Sequence, residues 1–162
     1  MMSLIKERLG NNIFTKKEKI YKVHTPEQLT EVMERKFKHK IFKTRENIHS
    51  ILVFYLVDTV ENISVGEETK EVVDDLLNIV DDHIRKDDEI VKIGDRDFLI
   101  LLPNTQLQQA EVVLKRVQKI VMDFFIRKGI ELCPYYKMIK FTPYTCESSL
   151  MKKIFIKQDR AA

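Results

Sequence analysis

The chain has no tryptophan, and its four glycines are spread thinly among 162 residues. With Gly10, Gly66, Gly94 and Gly129 so far apart, no Gly-rich phosphate loop can be built. Its two cysteines, Cys133 and Cys146, lack metal-ligand spacing and read as reduced thiols of a cytosolic protein. The N-terminus lacks the apolar core of a signal peptide. No run approaches the roughly 18 apolar residues a membrane span needs. The expectation is a soluble, cytoplasmic chain with no membrane contact.

Charge of one sign is also missing. The net value is +3, but it hides an asymmetry. Residues 1–50 carry 12 Lys/Arg against 6 Glu, whereas residues 58–97 carry 14 Asp/Glu against 5 Lys/Arg. A general affinity for nucleic acid is therefore not indicated. Hydrophobic content of 44% is enough for one full core.

The organising stretch is Asp88–Pro103. Two apolar runs, Ile90–Ile93 and Phe98–Leu102, flank a Gly94-Asp95 pair, which is a hairpin signal. The second run is nearly continuous, as in a strand covered on both faces. Ile51–Val57 is a second such run and reads as a buried central strand, with Asp58 at its end. A carboxylate there is either a metal ligand or a turn residue, and both readings stand.

Around these strands the pattern is helical. Thr25-Pro26-Glu27-Gln28 has the spacing of a capping box and opens a helix with Leu29, Val32, Met33, Phe37 and Ile41 in step. Its other face, Arg35, Lys36, Lys38, Lys40 and Lys43, is either solvated or a phosphate contact. Glu67–Arg85 is a second helix, with Arg85 and Lys86 in its last turn, where cations suit the dipole. Asp81-Asp82-His83 resembles a metal cluster, but adjacent helical residues point in different directions. Pro103-Asn104-Thr105 opens a third helix with a stripe from Ala110 to Phe125. Tyr135–Thr142 reads as a strand and Glu147–Gln158 as a final helix. Residues 1–9 suggest a short helix and 13–24 a basic arm, either solvated or docked. The domain boundaries follow: 1–24 short helix and arm, 25–158 the domain, 159–162 a tail. The fold class is α/β, a mostly antiparallel central sheet flanked by helices, with a ferredoxin-like or nucleotidyl-cyclase-like core.

The segments resemble, in order, a GGDEF domain, the diguanylate cyclase module of bacterial cyclic di-GMP signalling. Leu29-Thr30 with Val32 and Arg35 is similar to the family's D-x-L-T-x-L-x-N-R. The strand ending in Asp58 is similar to its I-D-x-D strand. Arg85–Pro103 resembles R-x-x-D-x-V-x-R-Y-G-G-D-E-F-x-x-L-L-P. In the family the signature hairpin binds GTP and two metal ions, and two protomers form the dinucleotide. Here the signature reads Gly94-Asp95-Arg96-Asp97-Phe98. Gly94 and Phe98 are kept. Asp95 replaces the second glycine, Arg96 reverses the charge of a metal-binding carboxylate, and Asp97 is one methylene short of the family's Glu. Asp58 remains as a vestigial metal candidate. Thr59–Lys70 replaces the guanine-recognition stretch, and Asn62 is out of place. Lys157 lies one position off the family's phosphate-binding lysine.

Metals supply most of the charge stabilisation in such chemistry, so these losses argue against cyclase activity. The resemblance implies no catalytic residues, no metal and no cofactor. It implies a signalling or protein-interaction module whose partner is another protein or a second copy. The alternative is a cyclic di-GMP receptor. The family's inhibitory-type R-x-x-D site reads Arg85-Lys86-Asp87-Asp88, at the family's spacing from Gly94. Arg85 can fork onto a phosphate or a guanine edge, and Asp88 can accept from guanine N–H groups.

Overall fold

The computed structural model describes residues 18–43, 48–58, 67–142 and 145–156. The helix expected over 1–9, the Asn62 region, Lys157 and the 159–162 tail lie outside the described residues, as do the side chains of Lys38, Lys40, Ile41, Lys43 and Asp58. The elements are α1 (Pro26–Lys43), β1 (His49–Asp58), α2 (Glu67–Asp81), β2 (Glu89–Lys92), β3 (Asp97–Leu102), α3 (Leu107–Lys128), β4 (Leu132–Phe141) and α4 (Glu147–Phe155).

Four strands form one sheet in the order β2-β3-β1-β4, every neighbouring pair antiparallel. β1 and β3 are continuously apolar because both of their faces are covered. Leu52, Phe54 and Leu56 of β1, with Phe98, Ile100 and Leu102 of β3, meet α2 and α3. The alternate residues Ile51, Val53, Tyr55, Leu99 and Leu101 meet α1 and α4. Phe54 and Phe98 are register partners, with rings stacked 4.9 Å apart at 8°. On the other face the Tyr55 hydroxyl donates to the Ile154 carbonyl at 2.6 Å, tying β1 to α4.

The capping box at α1 is as its sequence predicts. Thr25 N–H donates to Gln28 Oε1 at 2.9 Å and Gln28 N–H to Thr25 Oγ1 at 3.2 Å. Gly129 ends α3 at φ 66°, a left-handed conformation suited to glycine.

Several boundaries differ from expectation. α2 ends at Asp81 rather than Arg85, because Asp82 and His83 donate to the carbonyls of Ile79 and Val80, tightening the chain into three-residue turns. Arg85 and Lys86 therefore lie beyond the helix, not in its last turn. α3 starts at Leu107, since Asn104 adopts φ 51° and Gln106 is the cap. β4 begins at Leu132, three residues early, drawn out by pairing with Val57 and Asp58; Pro134 fits there because β4 is an edge strand. α4 ends at Phe155, where Ile156 turns extended.

The arm is docked where it is described. Val23 bridges Lys92 in parallel, and His24 N–H donates to the Lys92 carbonyl at 2.8 Å. The Asn78 side chain accepts from the Lys19 N–H and donates to the Lys19 carbonyl, both at 2.9 Å. Tyr21 packs against the core beside α2, and its hydroxyl lies 3.5 Å from the Leu77 carbonyl.

Candidate functional site

The two ends of the short strand β2 carry the residues singled out in the sequence. At its start is a corner made by Arg85–Asp88. The Asp88 N–H donates to the Arg85 carbonyl at 3.0 Å, closing a turn, and the Arg85 N–H donates back to Asp88 Oδ2 at 2.9 Å. Arg85 Nε lies 3.2 Å from both Asp88 oxygens, and Nη2 donates to Oδ1 at 2.8 Å. Nη2 also reaches the Pro103 carbonyl at 3.2 Å and Thr105 Oγ1 at 2.6 Å. The corner is thereby stitched to the turn between β3 and α3. Ser50 Oγ adds a bond to the Thr105 carbonyl at 2.6 Å, so β1 joins the same network.

The burial of the two partners is unequal. The Asp88 side chain is 1% exposed and the Arg85 side chain 56%. Asp88 therefore cannot present its carboxylate to a ligand in this arrangement; it holds the guanidinium flat and in place. The bond from Asp88 raises the Arg85 pKa further above its ordinary value, so the charge is permanent. Nη1 takes no part in these bonds. Lys86 is exposed beside it, and Arg116 of α3 donates from Nη1 to the His83 carbonyl at 3.2 Å, two residues before Arg85. Arg116 was missed in the sequence because it sits within a helix stripe that reads as solvated surface. An exposed, oriented guanidinium with further cations nearby is suited to an anion such as a phosphodiester.

At the other end of β2 is the hairpin tip. Ile93 and Gly94 N–H groups both donate to the Asp97 carbonyl, at 2.9 and 3.1 Å. The Leu56 N–H donates to the Arg96 carbonyl at 3.2 Å, pinning the tip to β1 near the strand end that carries Asp58. Gly94 sits close to the Asp97 side chain: a Cβ there would lie 3.0 Å from Asp97 Oδ2, a tight contact. Asp95 is exposed, Arg96 and Asp97 are half-buried, and Phe98 is fully buried behind them. Asp58 pairs with Leu132 at the end of β1. Among the described residues no group of three His, Cys, Asp or Glu side chains is placed to share a metal ion. His83 of the Asp81-Asp82-His83 run turns its Nδ1 to the Ile79 carbonyl at 2.8 Å. No described helix is long and apolar enough to cross a membrane.

No protein-family model matches the sequence, and no curated protein matches it. Solved structures do match in fold. The GGDEF domain of FimX from Pseudomonas aeruginosa aligns with a TM-score of 0.61 at 11% identity, over 86% of this chain and 89% of that one. The GGDEF domain of DgcB from Caulobacter crescentus, in complex with c-di-GMP, gives 0.58 at 7% identity, over 86% and 88%. PelD from Pseudomonas aeruginosa PAO1, also in complex with c-di-GMP, gives 0.51 at 17% identity, with 77% of this chain covering 43% of that one. The antiparallel sheet and its two helical layers are thus those of a GGDEF domain, the fold to which this chain belongs.

Proposed function

We propose that the chain is a catalytically inactive GGDEF-fold domain that serves cyclic di-GMP signalling as a protein-interaction module. The observation that carries this reading is the hairpin tip. Its backbone is pinned to β1 through the Arg96 carbonyl and the Leu56 N–H, so the half-buried residue Arg96 stands two residues from the strand end at Asp58. Two-metal phosphoryl transfer needs carboxylates at such a place, because the metals neutralise charge on the transferring group. A fixed cation there repels the metals, and Asp95 adds an anionic side chain where a polyphosphate would approach. Incubation with GTP and Mg²⁺ or Mn²⁺ tests the reading: no cyclic di-GMP is expected, and any formed would overturn it.

A second reading has its own observation, the half-exposed Arg85 held by Asp88. In this reading the domain is a cyclic di-GMP receptor. Arg85 makes the contact through its outward edge, Arg116 and Lys86 add positive charge, and Asp88 acts as a positioning residue. The two solved structures holding c-di-GMP on this fold support the choice of ligand. Calorimetry with cyclic di-GMP is expected to show binding that Arg85→Ala abolishes. Absence of heat at high micromolar ligand would sink the receptor reading while leaving the inactive module intact.

A further inference from the structure

The docked arm creates a cleft of about 510 Å³ against the open edge of β2. Lys19–Lys22 and His24 form one wall. Lys36 of α1, Asp81, Lys86, Asp88 and the β2 residues Glu89, Ile90 and Lys92 form the rest. Arg85 does not line it. The volume lies in the range of small-ligand sites.

The charges in this cleft are unevenly matched. Lys19 pairs with Asp81 at 3.7 Å and Lys36 with Glu89 at 3.3 Å. The Asp88 carboxylate is taken up by Arg85. Lys22 and Lys86 are exposed and have no carboxylate partner among the described residues. Lys92 is the most telling. Its side chain is 4% exposed, yet its ammonium has one acceptor among the described residues, Asp74 Oδ1 at 3.2 Å. An ammonium has three donors, and a buried one with donors to spare is costly unless a further acceptor arrives. Five lysines against three carboxylates line the space, two of the lysines are unpaired, and Tyr21 and Ile20 add apolar surface.

We propose that this cleft is a binding site for a small phosphorylated anion, adjoining the Arg85 corner and sharing Lys86 with it, with Lys22, Lys86 and the buried Lys92 as its cationic contacts. A phosphate group offers several acceptors at once, which suits two mobile ammoniums and one fixed one. The ligand would also clamp the arm to β2, since Lys22 belongs to the arm and Lys92 to the strand.

Pyrophosphate and ADP serve as probes, titrated calorimetrically into the whole chain. Both are expected to bind, and the double variant Lys22→Ala/Lys86→Ala to weaken them about tenfold or more. Both lysines are exposed, so the variant is expected to melt as the parent does. Arg116→Ala, at the corner but outside the cleft, is expected to leave pyrophosphate binding unchanged. Amide shifts on ADP addition are expected at residues 19–24 and 89–92. Absence of heat at millimolar probe, equal binding by the double variant, or loss of binding in Arg116→Ala would each overturn the proposal. The last result would assign the anion to the corner instead.

Discussion

The corner at Arg85–Asp88 and the tip at Gly94–Asp97 sit at opposite ends of a four-residue strand, and both are rich in charge. They differ in what the charges are bound to. At the corner the Asp88 carboxylate is buried and spent on Arg85, which in turn reaches Pro103 and Thr105. Of the Arg85–Asp88 pair, the group left facing solvent is a guanidinium in a fixed orientation. At the tip the backbone holds the turn, through the Asp97 and Arg96 carbonyls, with the Asp97 side chain packed close to Gly94. A site is recognised by an exposed group whose orientation something else enforces. By that criterion the corner is the stronger candidate, and the tip, despite its family resemblance, keeps mainly its core strand.

The largest effect that sharpens this contrast lies behind the tip. Phe98 is fully buried and stacked on Phe54. Phe98→Ala is expected to cost about 3–5 kcal/mol, read from urea denaturation. A smaller loss would mean that the hairpin is not anchored through its core strand, and the tip would have to be held by its charges after all.

Next comes the corner itself. Asp88→Ala strands the Arg85 guanidinium and the Arg85 N–H together. The expected loss is about 2–3 kcal/mol, below the cost of breaking a fully buried pair because Arg85 is half in water. Thr105→Val removes the 2.6 Å acceptor of Arg85 and the internal bond to the Pro103 carbonyl. It is expected to cost about 1–2 kcal/mol and to weaken cyclic di-GMP binding by loosening the fork. If Asp88→Ala binds cyclic di-GMP as tightly as the parent, Asp88 is not a positioning residue and the contrast breaks.

Much of this architecture was legible in the residues, for physical reasons. The runs Ile51–Val57 and Phe98–Leu102 are continuous because two helical layers cover them, and continuity is a local signal. The Thr25–Gln28 cap is likewise local. Arg85 and Asp88 could be singled out from the sequence, but the contacts that hold them could not. The corner's acceptors, Thr105 and Pro103, lie 20 and 18 residues from Arg85, and nothing near Arg85 in the chain announces them. The burial of Lys92 was hidden in the same way, because its partner Asp74 is on a helix 18 residues earlier. The early end of α2 depends on three-residue turns that a helical stripe running on to Ile84 conceals. The choice between a solvated and a docked arm turned on Asn78, whose side-chain amide pairs with the Lys19 backbone across 59 residues.

The smallest expected effect is also the most discriminating for the tip. Asp95→Gly restores the second glycine of the family signature at an exposed position. The turn is held by Ile93 and Gly94 N–H groups on the Asp97 carbonyl, and none of these bonds involves the Asp95 side chain. The stability change is therefore expected to stay within about 0.5 kcal/mol, as for other surface substitutions away from packing or caps. Removing one negative charge eases the approach of a polyphosphate, but the Arg96 cation remains where metal-binding carboxylates are required. GTP with Mn²⁺ is accordingly expected to give no cyclic di-GMP with this variant. The triple change Asp95→Gly/Arg96→Asp/Asp97→Glu, which rebuilds the signature, is expected to remain inactive as well, because by the family resemblance Thr59–Lys70 stands in place of the guanine-recognition stretch. Turnover by the single variant would show that the tip is one residue from function, and the contrast between the two ends of β2 would then be one of degree.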